Sequence, residues 1–329
     1  MARSSTESQL ATLRHLRGSP NAPQTIPALA ELLRAKNLHG LAVKMAAELA
    51  DQLTAKELAP QLTEVITNLL TETTPPPSKR DPGCEGKTAA LKTLVAWEIN
   101  VPDLYLTATG YRQLEPIMGG SIDTAAEFRG IAALALAFSR PPNAIITLID
   151  LLADTEPKTR MHTAIALGTW RGPEAMPVLR LKAHLGDDDP DTFAEILAAL
   201  LRQDEDQIPF VAEFLHTTNL THAEAAALAL GQSKISSALT PLINAWPLLR
   251  RTSIATSLLM SISLLRTQPA IDWLIDQLAG GEATATQSLD IFDVLALHKS
   301  DPKLLTRLEN LIHQYPHLQP PFRQVFKKH

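Results

Sequence analysis

Apolar residues recur along the chain at helical spacing, in short stripes separated by polar breaks that contain Pro or Gly. Between residues 145 and 168, Ile145, Ile146, Leu148, Ile149 and Leu152 form one stripe ending at Asp154. After Pro157, a second stripe runs through Met161, Ala164, Ile165 and Leu167 to Gly168. This pattern predicts helix, short turn and helix, with the Gly at the C-terminal stop. The unit repeats with a period of 32 residues. Pro177, Pro209 and Pro241 fall in step, followed by Val178, Phe210 and Leu242, with Ile146 and Leu274 extending that column. Two further columns read Ala164, Ile196, Leu228, Met260, Phe292 and Ala166, Ala198, Leu230, Ile262, Val294. Each Pro sits at the start of a first helix, where a missing N–H costs nothing. Neither helix of a pair can bury its stripe alone, so neighbouring pairs must stack as a solenoid.

The periodicity predicts an all-α protein: a right-handed α-α superhelix of about eight helix pairs with terminal capping helices. A cap near 5–17 lies in an N-terminal segment 1–22. The array fills 23–300, with pairs at 23–52, 54–99, 102–139, 141–171, 173–203, 205–233, 236–265 and 268–297. A last helix at 302–314 and a Pro-containing tail from Tyr315 complete the segment 301–329. Two stretches depart from the repeat. Residues 71–83, including Pro75-Pro-Pro77, form an insertion that cannot be helical. Residues 117–122, with Gly119-Gly120, read as a flexible connection before a helix starting near Asp123. Insertions into a repeat array map to one face, often the binding face.

Composition agrees with helices. Apolar residues make up 45% of the chain but aromatics only 5%, with 14 Gly, which argues against a β-sandwich or barrel. The net charge of −5 gives no bulk attraction for nucleic acid or anionic membrane. A single cysteine excludes an internal disulfide. The polar N-terminus and the absence of any long apolar run make a cytoplasmic location, with no membrane contact, the expectation.

The stretch Leu148-Ile-Asp-Leu-Leu-Ala-Asp154, Pro157-Lys-Thr-Arg160 and Ala164-Ile-Ala-Leu-Gly168 resembles a HEAT repeat of the short, phycobilisome-lyase-like kind, whose pattern sets Leu-Leu before Asp, then Arg, then Ala-x-Ala-Leu-Gly. His222-Ala-Glu-Ala-Ala-Ala-Leu-Ala-Leu-Gly231 repeats the ending. The segment from Asp81-Pro-Gly-Cys-Glu-Gly-Lys87 to Asp123-Thr-Ala-Ala-Glu-Phe-Arg-Gly130 is similar to a group of bacterial HEAT-repeat proteins, a likeness that implies no activity. By the same resemblance, second helices line the concave face.

Catalytic chemistry finds little support. Cys84 has no His between residues 40 and 161 to serve as base, and reads as an ordinary thiol at a helix start. His313 and His317 have metal-pair spacing, but Pro316 separates them; no His-Glu dipeptide occurs, as iron-binding HEAT-repeat hydroxylases would require. No metal or cofactor is therefore expected. Gly119-Gly120 lacks a phosphate-loop context, Thr124-Ala-Ala-Glu127 reads as a capping box, and Asp187-Asp-Asp-Pro-Asp191 as an acidic helix start. Trp97, Trp170, Trp246 and Trp273 are expected to fill gaps between repeats.

A nucleic-acid groove would need basic residues repeating along one face, whereas the column at 160 reads Arg160, Thr192, Glu224, Thr256. The expected function is a non-catalytic protein–protein scaffold that binds a protein or peptide, with Tyr111, Arg112, Glu115, Arg129 and Arg160 as candidate contacts. The alternative is an enzyme or accessory on the same scaffold: a DNA-glycosylase-like binder or a bilin-lyase-like small-ligand chaperone. A mixed-charge groove would favour protein, a contiguous positive groove DNA, and an uncharged apolar slot a small ligand.

Overall fold

The computed structural model describes residues 2–35, 37–71, 76–280 and 283–326. Helix accounts for 76% of it, and the helices pack on their sequence neighbours as an all-α solenoid does. The chain divides into two compact units, Met1–Val178 and Leu179–His329.

In unit 1, α1 (Ala2–Gly18) precedes four helix pairs. They are α2 (Thr25–Leu33) with α3 (Gly40–Gln52), and α4 (Ala59–Thr71) with α6 (Glu85–Ala96), the short α5 (Pro77–Arg80) lying between the last two. The third is α7 (Pro102–Thr109) with α8 (Ala126–Ser139), and the fourth α9 (Ala144–Leu151) with α10 (Pro157–Thr169). Second helices α3, α6, α8 and α10 pack in succession, and first helices do likewise (α2 on α4, α7 on α9). The core between second helices is made of small residues: Ala42, Ala46 and Ala50 on α3, Ala90 on α6, Ala132 and Ala135 on α8, Ala164 on α10. Ala keeps helix propensity high while letting backbones approach closely. At Gly86 the backbones approach closely: a Cβ there would stand 2.5 Å from the carbonyl oxygen of Gly40.

In unit 2, α11 (Ala175–Leu185), whose first residues belong to unit 1, precedes α12 (Pro190–Gln203). Then follow α13 (Ile208–Glu213) with α14 (Leu220–Ser233), α15 (Leu239–Leu249) with α16 (Ala255–Leu264), and α17 (Gln268–Ala279) with α18 (Ala285–Leu295). The unit ends with α19 (Pro302–Gln314) and α20 (Gln319–Phe326). Second helices α12, α14, α16 and α18 again pack in succession, and α20 closes the row against α18. The 32-residue columns are mostly core positions: Ala166, Leu230, Ile262 and Val294 are buried, as are Ile196, Phe292, Phe210, Leu242 and Leu274, while Val178, Ala198, Leu228 and Met260 are half-buried and Ile146 is exposed.

Four sequence expectations need correction. The tail from Tyr315 is helical: after a 3₁₀ turn at Pro316–Leu318, α20 buries Phe322, whose ring meets Phe292 edge-on at 5.7 Å. Its two prolines, Pro320 and Pro321, fall in the first turn, where helices tolerate them. The 71–83 insertion contains helical turns at Pro77–Arg80 and Pro82–Cys84, for the same reason; its residues 72–75 lie outside the described residues. Residues 117–122 are not a flexible connection but part of a β-hairpin, β1 (Leu114–Ile117) with β2 (Gly120–Asp123). Finally, Gly168 and Gly231 do not stop their helices, which continue to Thr169 and Ser233. Gly231 is needed for packing, since a Cβ there would lie 2.7 Å from Ser261 Cα. The left-handed residue after the helix is instead Lys234 (φ 58°), as it is Arg140 (φ 46°) after α8 and Arg266 (φ 54°) after α16.

Candidate functional site

The turns that lead into three of the second helices of unit 1, α6, α8 and α10, each carry a buried aspartate, while α3 follows His39, whose ring accepts from Leu41 N. Backbone N–H groups at a helix start have no partner within the helix, and a carboxylate there satisfies them and complements the helix dipole. Asp81 accepts from Gly86 N (2.8 Å) and Lys87 N (3.1 Å), Asp123 from Ala125 N (3.0 Å) and Asp154 from Glu156 N (2.8 Å). Thr124 is therefore not the N-cap of a capping box. Its hydroxyl donates to Gln113 O and Glu115 Oε1, and Glu127 pairs with Lys92 at 2.5 Å.

Burying three carboxylates is costly unless each has a cation. Arg129, with a fully buried side chain, serves two of them: Nη1 donates to Asp123 Oδ2 (2.7 Å), while Nε and Nη2 grip Asp154 (3.0 Å each). Its Nη1 also donates to the Tyr111 carbonyl at 3.0 Å. Arg112, half-exposed, bridges the same two carboxylates from outside, 3.3 Å from Asp123 and 2.9 Å from Asp154. Arg160 donates to the carbonyls of Asp154 (2.9 Å) and Thr155 (3.1 Å) and is buried. Burial acts to raise the Asp123 carboxyl, but hydrogen bonds from Gln113, Ala125 and Arg129 outweigh it and hold the group below its ordinary value. At Asp154, Arg129 and the Glu156 N–H outweigh burial in the same way.

Asp81 is served by Lys87, whose ammonium is fully buried 2.9 Å from Asp81 Oδ2. The contact lacks hydrogen-bond alignment, so its attraction is coulombic. The ammonium also lies 5.2 Å from the centre of the Tyr111 ring. Cys84 is buried in the same place, and burial pushes its thiol up to about 12, which makes it inert as a nucleophile at neutral pH.

This network anchors the hairpin. Glu115 Oε1 accepts from Gly83 N (2.7 Å), Gln113 Nε2 (2.7 Å) and Thr124 Oγ1 (3.0 Å), and the Tyr111 hydroxyl donates to Gln113 Oε1 (2.9 Å). The chain reverses at Met118-Gly119, where Gly119 has φ 90°, a value open to Gly at the third position of a type II turn. Beyond the anchored base the hairpin is exposed and apolar. Leu114 is 66% exposed, Ile117 55% and Ile122 48%, and Met118 at the tip is wholly exposed. The register sets Glu115 opposite Ile122 and Ile117 opposite Gly120, so Glu115, Ile117 and Ile122 share one face.

On the side where Glu115 meets Gly83 and Thr124 opens a groove of about 480 Å³ lined by second helices. Lys44, Glu48 and Asp51 come from α3, Glu85 and Lys92 from α6, and Glu127 from α8. Lys44 pairs with Glu85 (2.9 Å) and Lys92 with Glu127, so two ion pairs bridge successive helices. The groove is thus mixed in charge.

The five candidate contacts gather around Asp123, Asp154 and the base of the hairpin, none of them lining the groove, and they differ in role. Arg112 is accessible, Tyr111 and Glu115 are half-buried, and Arg129 and Arg160 are engaged inside the protein rather than presented to a partner. The apolar hairpin residues were missed, because four apolar residues beside Gly-Gly do not show in sequence which way they face. Among the described residues no group of His, Cys, Asp and Glu is arranged to hold a metal, and no helix is long and apolar enough to cross a membrane. Of the tryptophans, Trp97 and Trp246 are buried, and Trp246 meets Trp273 edge-on at 5.9 Å; Trp170 is half-buried, with the Arg140 guanidinium 5.0 Å from its ring.

A search of curated proteins returned no match to the chain. Residues 121–192, which run from β2 through α8, α9, α10 and α11 into α12, match the family model described as HEAT repeats.

Proposed function

We propose that the protein is a non-catalytic, cytoplasmic interaction scaffold that grips a protein or peptide between the groove on α3, α6 and α8 and the apolar hairpin. The array is read as one run over 23–300, capped by 1–22 and 301–329, of the short phycobilisome-lyase-like kind. The observation that carries the reading is the pairing of a mixed-charge groove with a projecting apolar element held by a buried ion network. Exposed apolar patches rimmed by polar residues mark interaction surfaces, and a rigid base lowers the entropy cost of binding. HEAT repeats serve commonly as protein-interaction scaffolds. Arg112 is assigned a direct contact, while Tyr111, Glu115, Arg129 and Arg160 position the hairpin. A DNA-binding role is disfavoured by the groove's four carboxylates against two lysines.

The test is affinity capture from an extract of the native host, with and without nuclease, using the intact protein and an Ile117→Ser/Met118→Ser/Ile122→Ser variant. A protein partner that survives nuclease and is lost with the variant is the expected result. Recovery of nucleic acid alone, or of partners lost on nuclease treatment, overturns the reading.

A further inference from the structure

We infer that the segment bound in this groove is a basic amphipathic helix, with apolar side chains under the hairpin and Lys or Arg side chains at the α3 end. The inference rests on the scaffold reading and adds the chemistry of the partner. The two ion pairs, Lys44–Glu85 and Lys92–Glu127, neutralise the middle of the groove. Glu48 and Asp51 line it too, are exposed, and form no ion pair among the described residues. The groove therefore carries an excess of two carboxylates on α3, and beside it, where Glu115 meets the lining residues Gly83 and Thr124, stands the hairpin face that bears Ile117 and Ile122. Successive packed helices lie ~8–10 Å apart, so α3 and α8 are separated by about 20 Å. A helix spans that distance in roughly 13 residues. An occupant must present apolar groups at one end and cations at the other, since acidic groups beside Glu48 and Asp51 would be repelled. Nucleic acid meets the wrong charge there, and a purely apolar ligand leaves the two carboxylates unanswered.

Fluorescence anisotropy on the full chain tests this with three labelled synthetic helices of about 18 residues, some five turns. One is patterned with Leu and Lys, one has Glu in place of Lys, and one has Ser in place of Leu. The Leu/Lys helix is expected to bind most tightly, and the other two at least roughly tenfold more weakly. Its affinity should fall roughly tenfold in a Glu48→Lys/Asp51→Lys variant and in the Ile117→Ser/Ile122→Ser variant, but not in Glu213→Lys, an exposed acidic control in unit 2. Equal binding of the Leu/Glu helix, or indifference to the α3 reversal, overturns the inference. If captured protein partners still depend on the hairpin in that event, the scaffold reading stands alone. Concentration-dependent dimerisation that the hairpin variant abolishes would also overturn it, by assigning the surface to a second copy.

Discussion

At their helix starts the two units satisfy the same orphan backbone groups with a different balance of chemistry. Unit 1 uses aspartates that are themselves buried and must be neutralised by Lys87 and Arg129, with Arg112 outside. Unit 2 has one turn of the same kind, before α12, where the buried Asp187 carboxylate pairs with Lys182 at 2.9 Å and accepts from Asp189 N; its other capped helix starts use local side chains. Asn219 accepts from Thr221 N, Thr267 caps Ala270, Thr284 and Gln287 form a capping box, and Asp301 accepts from Lys303 N. Aromatic contacts supplement these caps: Phe193 stacks on His222 at 4.1 Å, and Phe210 meets Phe214 at 5.5 Å. The stacking of helix pairs is therefore indifferent to how the turns are finished. Where a turn also holds a projecting element, unit 1 ties the Asp123 and Asp154 turns together through Arg129 and joins the Asp81 turn to the hairpin through hydrogen bonds from Gly83 N to Glu115 and from Gln113 Nε2 to the Asp81 carbonyl.

The sharpest way to break this contrast is at Arg129. An Arg129→Met change leaves Asp123 and Asp154 buried with Arg112 alone, and should cost about 3–5 kcal/mol in denaturant unfolding. A loss below about 1 kcal/mol, the size of a surface pair, would show the network to be incidental.

Acid should separate the units next. Asp123 and Asp154 have depressed values in the folded protein, so their contribution is complete above the ordinary carboxylate value of 3.8 and is lost as pH falls through the depressed values. Hydrogen exchange from about pH 5 down to about pH 2, corrected for intrinsic rates, should show protection falling at residues 111–129 while the turn capped by Thr284 and Gln287 is unaffected. Loss at both turns together would contradict the contrast.

Packing is common to the units, and so should its disruption be. Gly86→Ala and Gly231→Ala each place a methyl against a neighbouring backbone and should cost about 1–3 kcal/mol by calorimetry. Stabilisation, as expected for Gly→Ala at an open helical site, would mean that the helices are not in close contact. Thr284→Ala removes a cap and should cost ~1 kcal/mol. Smallest of all, Met118→Ser at the hairpin tip should alter stability by under about 0.5 kcal/mol, as at a surface position free of packing. A larger loss would mean the hairpin is part of the core and not a surface for a partner.

The helix pairs were legible along most of the chain because burial of an apolar stripe is periodic, and most positions of the 32-residue columns are buried, Ile146 being an exposed exception. Pro177, Pro209 and Pro241, read as starts of first helices, fall in the first turns of α11, α13 and α15, where proline's preset φ suits the helix. Asp189, predicted to lie in an acidic helix start, does cap α12 by accepting from Thr192 N. Where two explanations fit one residue, local reading failed. Gly231 had the composition of a stop and serves as a contact, because the requirement comes from Ser261 on another helix.

Periodicity and composition settled the helical class, the pairing of helices and most of their positions, since these follow from which residues avoid water at 3.6-residue spacing. The role of the 111–129 segment was left to the tertiary structure. Arg129 is separated from Asp154 by 25 positions, and Glu115 from Gly83 by 32. An arginine reads as a surface residue until stacking places two carboxylates around it. Four apolar residues beside a Gly-Gly turn become an exposed hairpin only when that buried network fixes their base.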